Sequence, residues 1–258
     1  MVELVVEDAL ATITLASPAT RNAIVPDWVQ ALEAAVTACA LRTDVRALLF
    51  RADGPAFTIG GDLAHFAGAG DRLADELEEM VSRYHATLVH VAELPLPVVC
   101  AARGAVAGGG LGLLWAADIV LLAHDARLVT GVARLGLSGD GGSSWYLPRL
   151  VGLHRAAELL IEGRALDAET ALVWGLANRV LPGTELDGAA HELARSLADG
   201  PTRAYAEMRR LLRGALDVEL RTGLDSEREA NVRCGATADG REGVAAFAER
   251  RPPRFTGA

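Results

Sequence analysis

The spacing of apolar residues is the feature that most restricts the fold of this chain. Over roughly the first 140 residues, short apolar runs typical of buried strands alternate with longer segments that repeat every three to four positions, as helices do. The predicted strands are an opening hairpin at residues 4–6 and 11–15, and runs at residues 45–50, 96–101 and 118–123. Strands that alternate with helices predict an α/β protein.

The helices between these strands have readable boundaries. Pro26 is placed to begin a helix, because proline fits the first helical turn. The apolar face predicted for this helix contains Trp28, Leu32, Ala35, Val36 and Cys39. A long amphipathic helix is predicted at residues 73–94, and Pro95 and Pro97 would end it.

From about residue 142 the pattern is helical throughout. The predicted helices lie at residues 156–161, 167–174, 189–197, 202–212 and 218–232. We therefore predict a core at residues 1–200 and a helical C-terminal region at residues 201–258, with the boundary near Pro201.

The charged residues exclude several functions. The chain has 25 basic residues, all of them arginine, against 34 acidic ones, for a net charge of −9. Without lysine there is no P-loop lysine, Schiff base or Ser–Lys pair. An acidic chain is also poorly suited to neutralise phosphates, so we expect no nucleic-acid partner.

The cysteines and the hydropathy of the chain favour a reducing compartment. Cys39, Cys100 and Cys234 form no CxxC pair, and their apolar or helical surroundings predict buried free thiols in a reducing environment. The N-terminus carries acids and no basic region typical of a signal peptide, and no apolar run reaches 18 residues. We expect a cytoplasmic protein with no membrane partner.

The six histidines form no metal-binding pattern. His85 and His90 are five residues apart, which does not put them on one helical face, and the chain contains no HExxH sequence. His65, which follows a glycine cluster, is the one histidine that we expect could line a pocket. We therefore expect no metal ion.

Two glycine clusters each lie between a predicted strand and a predicted helix. One spans residues 54–63 and contains Gly60 and Gly61, and the other spans residues 104–112 and contains Gly109. Glycine lets the backbone approach a ligand closely, and the N–H groups at a helix start have no partners within the helix. The alternative for each cluster is a tight turn without a ligand. Neither cluster matches GxGxxG, so a dinucleotide site is poorly supported.

A third glycine-rich loop, at residues 135–144, contains Asp140. It is not a nucleophile elbow, because Asp140 stands where GxSxG requires glycine. Asp140 precedes a helix predicted to begin at Gly141 or Gly142. It could therefore be an N-cap, which is the favoured interpretation from position alone, or a catalytic carboxylate.

Together these pieces resemble the enoyl-CoA hydratase/isomerase (crotonase) family over nearly the whole chain. The motifs that carry the resemblance are Arg21-Asn22-Ala23, Gly60-Gly61-Asp62-Leu63, the run at residues 104–110, Ala117-Asp118-Ile119, Leu135-Gly136-Leu137, and the segments at residues 147–152, 171–176 and 239–255. The resemblance implies a spiral of ββα units with a helical C-terminal trimerisation region. It also implies a homotrimer or dimer of trimers that binds coenzyme A as part of a thioester substrate, with no prosthetic group.

In this family two backbone N–H groups polarise the thioester carbonyl, and the resemblance assigns them to Gly61 and Gly109. Two fixed donors stabilise the negative charge that forms on the oxygen of an enolate. The resemblance assigns coenzyme A contacts to Arg21, Ala23, Ile59, Gly60, Gly61, Asp62 and Leu63. Phe247 and Arg250 match tail residues that contact the coenzyme A of a neighbouring copy, although Arg250 could equally be a solvated helix end.

The sequence departs from the hydratases at the two glutamates that hydration uses, because the matching positions hold Gly112 and Val132. Asp140 instead matches the aspartate of the double-bond isomerases of this family, and its loop most resembles the ring-epoxide isomerase of phenylacetate breakdown. We therefore expect an isomerase with Asp140 as its acid/base residue.

Four alternatives stay open. The chain could be an acyl-CoA-binding protein with little activity, in which Asp140 only caps its helix. His65, Glu78, Glu79 or Ser143 could reach the pocket in place of Asp140. The chain could also be a hydratase that uses an unidentified carboxylate. An aryl-CoA dehalogenase ranks lower, because that activity would need tryptophan at Val132.

Overall fold

A computed structural model describes residues 1–258 and contains nine strands. They are β1 (Val2–Glu7), β2 (Leu10–Leu15), β3 (Ala47–Ala52), β4 (Val98–Ala102), β5 (Ala105–Ala107), β6 (Ile119–Ala123), β7 (Arg127–Val129), β8 (Leu166–Asp167) and β9 (Arg179–Leu181).

Ten α-helices connect and cover these strands. They are α1 (Pro26–Ala40), α2 (Leu63–Ala69), α3 (Leu73–Glu93), α4 (Leu111–Ala116), α5 (Ser143–Ala157), α6 (Ala168–Val173), α7 (Gly183–Ala198), α8 (Thr202–Gly214), α9 (Leu220–Gly235) and α10 (Ala238–Glu249). The α5 helix is interrupted at Gly152, where φ is +79°.

The strands form two sheets. The larger has the order β1-β2-β3-β4-β6-β9 and is parallel except for the β1–β2 hairpin, and the smaller has the order β5-β7-β8. Along the chain, β4 and β6 of the large sheet are each followed by a strand of the small sheet, β5 and β7. At these two turns the chain adds one strand to each sheet, as expected for the predicted ββα spiral.

The large sheet is buried on both faces, which explains why its strands are continuously apolar. In β3, Leu48 and Phe50 face the main core, whereas Ala47 and Leu49 face a second cluster on the opposite side. The α7 helix covers that second side through residues four apart, namely Leu186, Ala190, Ala194 and Ala198. Small side chains at this spacing allow the helix to lie close to the sheet.

The main core packs α1 and α3 against the other face of the sheet. Trp28 of α1 and Tyr84 of α3 are fully buried and meet edge to face, with ring centroids 6.1 Å apart. This contact holds α3 beside the second glycine-rich loop, because the Tyr84 hydroxyl donates to the Gly109 carbonyl at 2.9 Å.

The structure confirms most of the predicted elements and corrects three points. The opening hairpin, the start of α1 at Pro26 and the long α3 helix are as predicted. The region after residue 142 is not wholly helical, because it contains β8 and β9, which are too short to show an alternating pattern. The helix after Asp140 begins at Ser143, one or two residues later than predicted. Cys39 and Cys100 are buried as predicted, but Cys234 is only partly buried.

The C-terminal helices are anchored to the core by buried arginine. Arg209 of α8 lies 2.6 Å from the Asp118 carboxylate and also donates to the Leu94 carbonyl. The predicted division at residue 200 stays a prediction, although α8 begins at Thr202. None of the helices combines the length and apolar character needed to cross a membrane.

Candidate functional site

The two glycine clusters of the sequence lie against each other. Gly60 and Gly108 both have positive φ, +81° and +52°. A side chain at Gly60 would place its Cβ 2.9 Å from the Ala107 carbonyl oxygen, so only glycine allows this approach. Backbone hydrogen bonds join the loops, with the Ala107 N–H donating to the Thr58 carbonyl at 3.0 Å.

Asn22 explains why the Arg21-Asn22-Ala23 motif belongs to this site. Its side chain is completely buried and donates to the carbonyls of Asp53 and Ala56, at 3.1 and 3.0 Å. The Thr58 hydroxyl in turn donates to the Asn22 carbonyl at 2.7 Å. Asn22 therefore supports the first glycine loop from behind, a role that its place in the motif did not reveal.

The amides of Gly61 and Gly109 are available as hydrogen-bond donors at this junction. The residues on either side of Gly61 are paired with Ile24: the Ile24 N–H donates to the Gly60 carbonyl, and the Asp62 N–H donates to the Ile24 carbonyl. The Gly61 N–H between them has no backbone acceptor. Gly109 lies in the first turn of the short helix Gly108–Gly110, where N–H groups have no helical partner. Both residues line the same cavity.

This cavity has a volume of about 440 Å³ and mostly apolar walls. The glycine loops form one side, α2 and α3 form the second, and residues 129–140 form the third. Its apolar lining includes Ile24, Ile59, Phe66, Leu77, Met80, Val81, Val129 and Leu137. Arg134 and Asp140 are the only charged lining residues, so Asp140 supplies the only carboxylate.

The carboxylate of Asp140 has two different oxygens. Its Oδ1 accepts hydrogen bonds from the Gly141 N–H at 2.6 Å and lies 2.7 Å from His85 Nε2. Its Oδ2 faces the other glycine loop so closely that a Cβ at Gly109 would collide with it. One oxygen is thus held by the protein, and the other points toward the proposed donor at Gly109.

Asp140 is not the cap of the following helix. The N-cap of α5 is Gly142, and no side chain caps that helix end. The Ser143 N–H reaches only the backbone carbonyl of Asp140, at 3.1 Å. The capping alternative was therefore wrong, because the loop turns the carboxylate into the cavity instead of along the helix.

His85 is the residue at this site that sequence reasoning missed. It lies on α3, its side chain is 45% exposed, and it does not line the cavity itself. The hydrogen bond with Asp140 is the main reason that the pKa of His85 is raised above 6.5, against partial burial, which lowers it. No motif could reveal the pair, because 55 residues separate its members in the chain.

This raised pKa predicts a pH-dependent contribution to stability. A histidine whose pKa is higher in the folded state stabilises the fold fully below its unfolded pKa, and the stabilisation is lost as pH rises through the folded pKa. We expect the wild type to exceed His85→Gln in unfolding free energy by up to about 1 kcal/mol at pH 6, and by less at pH 9, since exposed pairs contribute little.

Urea unfolding at the two pH values measures this difference. His90→Gln is the matched control, because His90 lies on the same helix and forms no ion pair. If the wild type exceeds His85→Gln in unfolding free energy by the same amount at pH 6 and pH 9, the pairing of His85 with Asp140 is contradicted.

Neither of the two positions that match the hydratase glutamates can transfer a proton: one has no space for a side chain, and the other holds an apolar residue. Gly112 is buried, and a Cβ there would lie 2.6 Å from Leu88 Cδ1 and 2.7 Å from the Gly141 carbonyl oxygen. Val132 lines the cavity with an apolar side chain. The space that a side chain at position 112 would need is therefore filled by Leu88 and by the loop that carries Asp140.

The other candidates for the acid/base role do not line the cavity. His65 lies 3.5 Å from Glu76, Glu78 accepts a hydrogen bond from Ser82, and Ser143 is buried with its hydroxyl accepting from Trp115 Nε1. Glu79 is exposed. No group of three or more histidine, cysteine or acidic residues is arranged to hold a metal ion.

The residues expected to contact coenzyme A occupy different places. Ile59, Gly60, Gly61 and Leu63 line the cavity, whereas Arg21, Ala23 and Asp62 do not. Asp62 is the N-cap of α2, and its Oδ1 accepts from the Ala64 N–H at 2.8 Å. Arg21 is exposed and Ala23 is buried, and their contacts with coenzyme A stay predictions.

Phe247 and Arg250 lie at the end of α10, away from the cavity of their own chain. Phe247 is 88% exposed, and Arg250 closes the helix in a left-handed conformation with φ of +55°. Their contact with a neighbouring copy stays a prediction.

Comparisons with known proteins agree on one family. A family model described as enoyl-CoA hydratase/isomerase matches residues 6–258. A Rhodobacter capsulatus protein named as an enoyl-CoA hydratase is 36% identical over 252 residues, covering 98% of this chain and 96% of its own. The 1,2-epoxyphenylacetyl-CoA isomerase of Escherichia coli is 36% identical over 253 residues, covering 98% and 97%.

The fold comparison agrees. The crystal structure of an enoyl-CoA hydratase/isomerase from Mycobacterium abscessus superposes on this chain with a TM-score of 0.95. The two sequences are 33% identical, and the match covers 100% of both chains. Similarity of this extent confirms the predicted α/β fold with a helical C-terminal region.

Proposed function

Because the chain belongs to the enoyl-CoA hydratase/isomerase family, we propose that it shifts a double bond, or isomerises a ring, in an acyl-CoA thioester. The observation that carries this proposal is the position of Asp140. It is the only carboxylate that lines the cavity, its free oxygen faces Gly109, and both hydratase glutamate positions lack a proton-transferring group.

The amides of Gly61 and Gly109 bind the thioester oxygen in this proposal. When a proton leaves the carbon next to the carbonyl, negative charge moves onto that oxygen. Two donors already aimed at it need no reorganisation, and losing one such donor typically costs about 10²–10³ in rate. The apolar walls of the cavity keep this interaction strong, because they exclude water.

Asp140 moves the proton. Its Oδ2 takes a proton from the carbon next to the carbonyl of a 3-enoyl thioester, and the electron pair of that C–H bond enters the conjugated enolate. The carboxylic acid returns the proton two carbons further along, the double bond moves to the 2-position, and Asp140 is again a carboxylate. One carboxylate suffices, since no water is added and no atom is lost.

The cavity also suits the rest of the proposed substrate. An apolar volume of about 440 Å³ accepts an uncharged acyl group, and Ile59, Gly60, Gly61 and Leu63, which line the cavity, would contact the coenzyme A portion. Arg21, Ala23 and Asp62 would contact more distant parts. We also propose a homotrimer or dimer of trimers, in which Phe247 and Arg250 reach the coenzyme A of a neighbour, and a cytoplasmic location.

The direct test supplies purified protein with a 3-enoyl-CoA and follows the absorbance of the conjugated product. We expect conjugation without uptake of oxygen from ¹⁸O-labelled water. Labelled oxygen in the product of a 2-enoyl-CoA would instead support a hydratase, an activity named for one relative. Calorimetric binding with no turnover of any thioester would support a binding protein.

The closed position at Gly112 gives a prediction of its own. Gly112→Glu is expected to gain no hydratase activity and to lose at least about 1–3 kcal/mol of stability, because the site is already full and overpacking alone costs this much. Hydration of a 2-enoyl-CoA and urea unfolding measure the two effects.

The control for this variant is Gly188→Glu. Gly188 is an exposed helical position of α7 at which no atom lies within 4 Å of an added Cβ. If the Gly112→Glu variant hydrates a 2-enoyl-CoA and is as stable as the wild type, then the space around position 112 is not closed.

A further inference from the structure

Two consecutive residues of α3 each reach a different half of the candidate site. The Tyr84 hydroxyl donates to the Gly109 carbonyl at 2.9 Å, and His85 Nε2 lies 2.7 Å from Asp140 Oδ1. One residue thus contacts the loop that carries an oxyanion donor, and the next contacts the carboxylate. Neither contact belongs to a motif of the sequence.

Tyr84 is rigidly held. Its side chain is 2% exposed, and its ring packs edge to face on Trp28 of α1. A buried hydroxyl needs a partner, and here that partner is the Gly109 carbonyl. A peptide carbonyl held in one direction restricts the rotation of the whole residue, so the bond limits where the Gly109 N–H points.

The same carbonyl lies against the loop that carries Asp140. A Cβ at Gly141 would collide with the Gly109 oxygen, and Gly141 has φ of +60°. Gly141 is also the residue whose N–H donates to Asp140 Oδ1. The donor loop and the acid loop therefore touch at one point, and Tyr84 holds that point from the side of α3.

His85 completes the arrangement from the next position. It occupies Oδ1 together with the Gly141 N–H and leaves Oδ2 toward Gly109. Without His85, the carboxylate would keep a single backbone donor at Oδ1, and its rotation about the Cβ–Cγ bond would be less restricted. The direction of the reacting oxygen would then be less well fixed.

We propose that Tyr84 and His85 are positioning residues that set the distance between the oxyanion donor and the acid/base group. This inference rests on the proposed function of Asp140 and Gly109. Because both side chains start from one helical turn, α3 fixes the two halves of the site relative to each other. Misplacement by about 1 Å can cost on the order of 10²-fold in rate, so the expected losses are in kcat.

The experiment compares Tyr84→Phe, His85→Leu and His85→Gln with the wild type on a 3-enoyl-CoA. Tyr84→Phe and His85→Leu are expected to lower kcat by about 10- to 100-fold, with KM changed less than about threefold. His85→Gln is expected to recover part of the loss, because its amide can still donate to Asp140. Tyr205→Phe and His90→Gln, both outside the cavity, are the matched controls.

The carbonyl stretching frequency of a bound acyl-CoA supplies a readout that a general loss of stability would not move. Polarisation by the two amides lowers this frequency, so Tyr84→Phe should shift it back toward the value of the free thioester. His85→Leu should leave it unchanged, because His85 acts on the carboxylate.

The outcomes separate this inference from the proposed function. If the wild type moves no double bond, the proposed function fails, and the vibrational measurement still tests Tyr84. If the wild type is active and the Tyr84→Phe and His85→Leu variants keep its kcat and carbonyl frequency, the positioning inference alone is overturned. If kcat of His85→Gln is as low as that of His85→Leu, the hydrogen bond to Asp140 does not explain the loss, and His85 is not a positioning residue.

Discussion

Replacing Asp140 by asparagine is expected to lower the isomerisation of a 3-enoyl-CoA by about 10²–10⁴-fold, the usual contribution of a general acid/base group. Asparagine has nearly the same shape, and its carbonyl oxygen can still accept from Gly141 and His85. The amide nitrogen that replaces Oδ2 cannot take a proton. Steady-state kinetics should therefore show a loss in kcat, with binding of the thioester retained in calorimetry.

Asp217→Asn is the matched control for this loss. Asp217 is an exposed surface residue whose carboxylate lies 3.1 Å from Arg149, outside the cavity. The Asp217→Asn variant removes the same charge as Asp140→Asn and should leave turnover unchanged. An Asp140→Asn variant with turnover within about twofold of the wild type would eliminate the proton-transfer role.

Gly109→Ala is expected to produce the second large effect, a loss of about 10²–10³-fold in kcat, because one methyl group disturbs both halves of the site. The added Cβ would collide with Asp140 Oδ2 and would lie 3.5 Å from Tyr84 Cε1. The carboxylate cannot move aside freely, since Gly141 and His85 hold its other oxygen.

Gly188→Ala is the comparison for this variant. Its added Cβ meets no atom within 4 Å, and alanine inside a helix is expected to stabilise the protein by roughly 0.5–1 kcal/mol. Kinetics together with urea unfolding separate a local effect from unfolding. A folded Gly109→Ala variant with wild-type kcat would show that the Gly109 backbone is not part of the site.

The predictable parts of the fold are those with a strong local pattern. The α1 helix begins at its proline and α3 ends before Pro95, because backbone chemistry decides both boundaries nearly alone. The strands β8 and β9 have two and three residues. They form because neighbouring strands offer hydrogen bonds, and so short a segment carries no signal of that.

The candidate site divides in the same way. The glycine loops and Asp140 were predicted as its components, because they match the positions that the resemblance assigns to carbonyl polarisation and proton transfer. The pairing of Asp140 with His85 and the support of Gly109 by Tyr84 were not predicted. Both depend on where α3 crosses the loops, and α3 is placed by its packing on α1.

The amino-acid sequence by itself determined the alternation of strands and helices, the absence of lysine, the glycines that permit close backbone contact and the missing hydratase glutamates. The first three are properties of single residues and of their spacing along the chain, and the last follows from the resemblance to the hydratases. Only the tertiary structure decided that the Asp140 carboxylate turns into the cavity and that Gly112 is closed. Such outcomes depend on contacts between segments distant in the chain, whose geometry is set by the packing of the whole core.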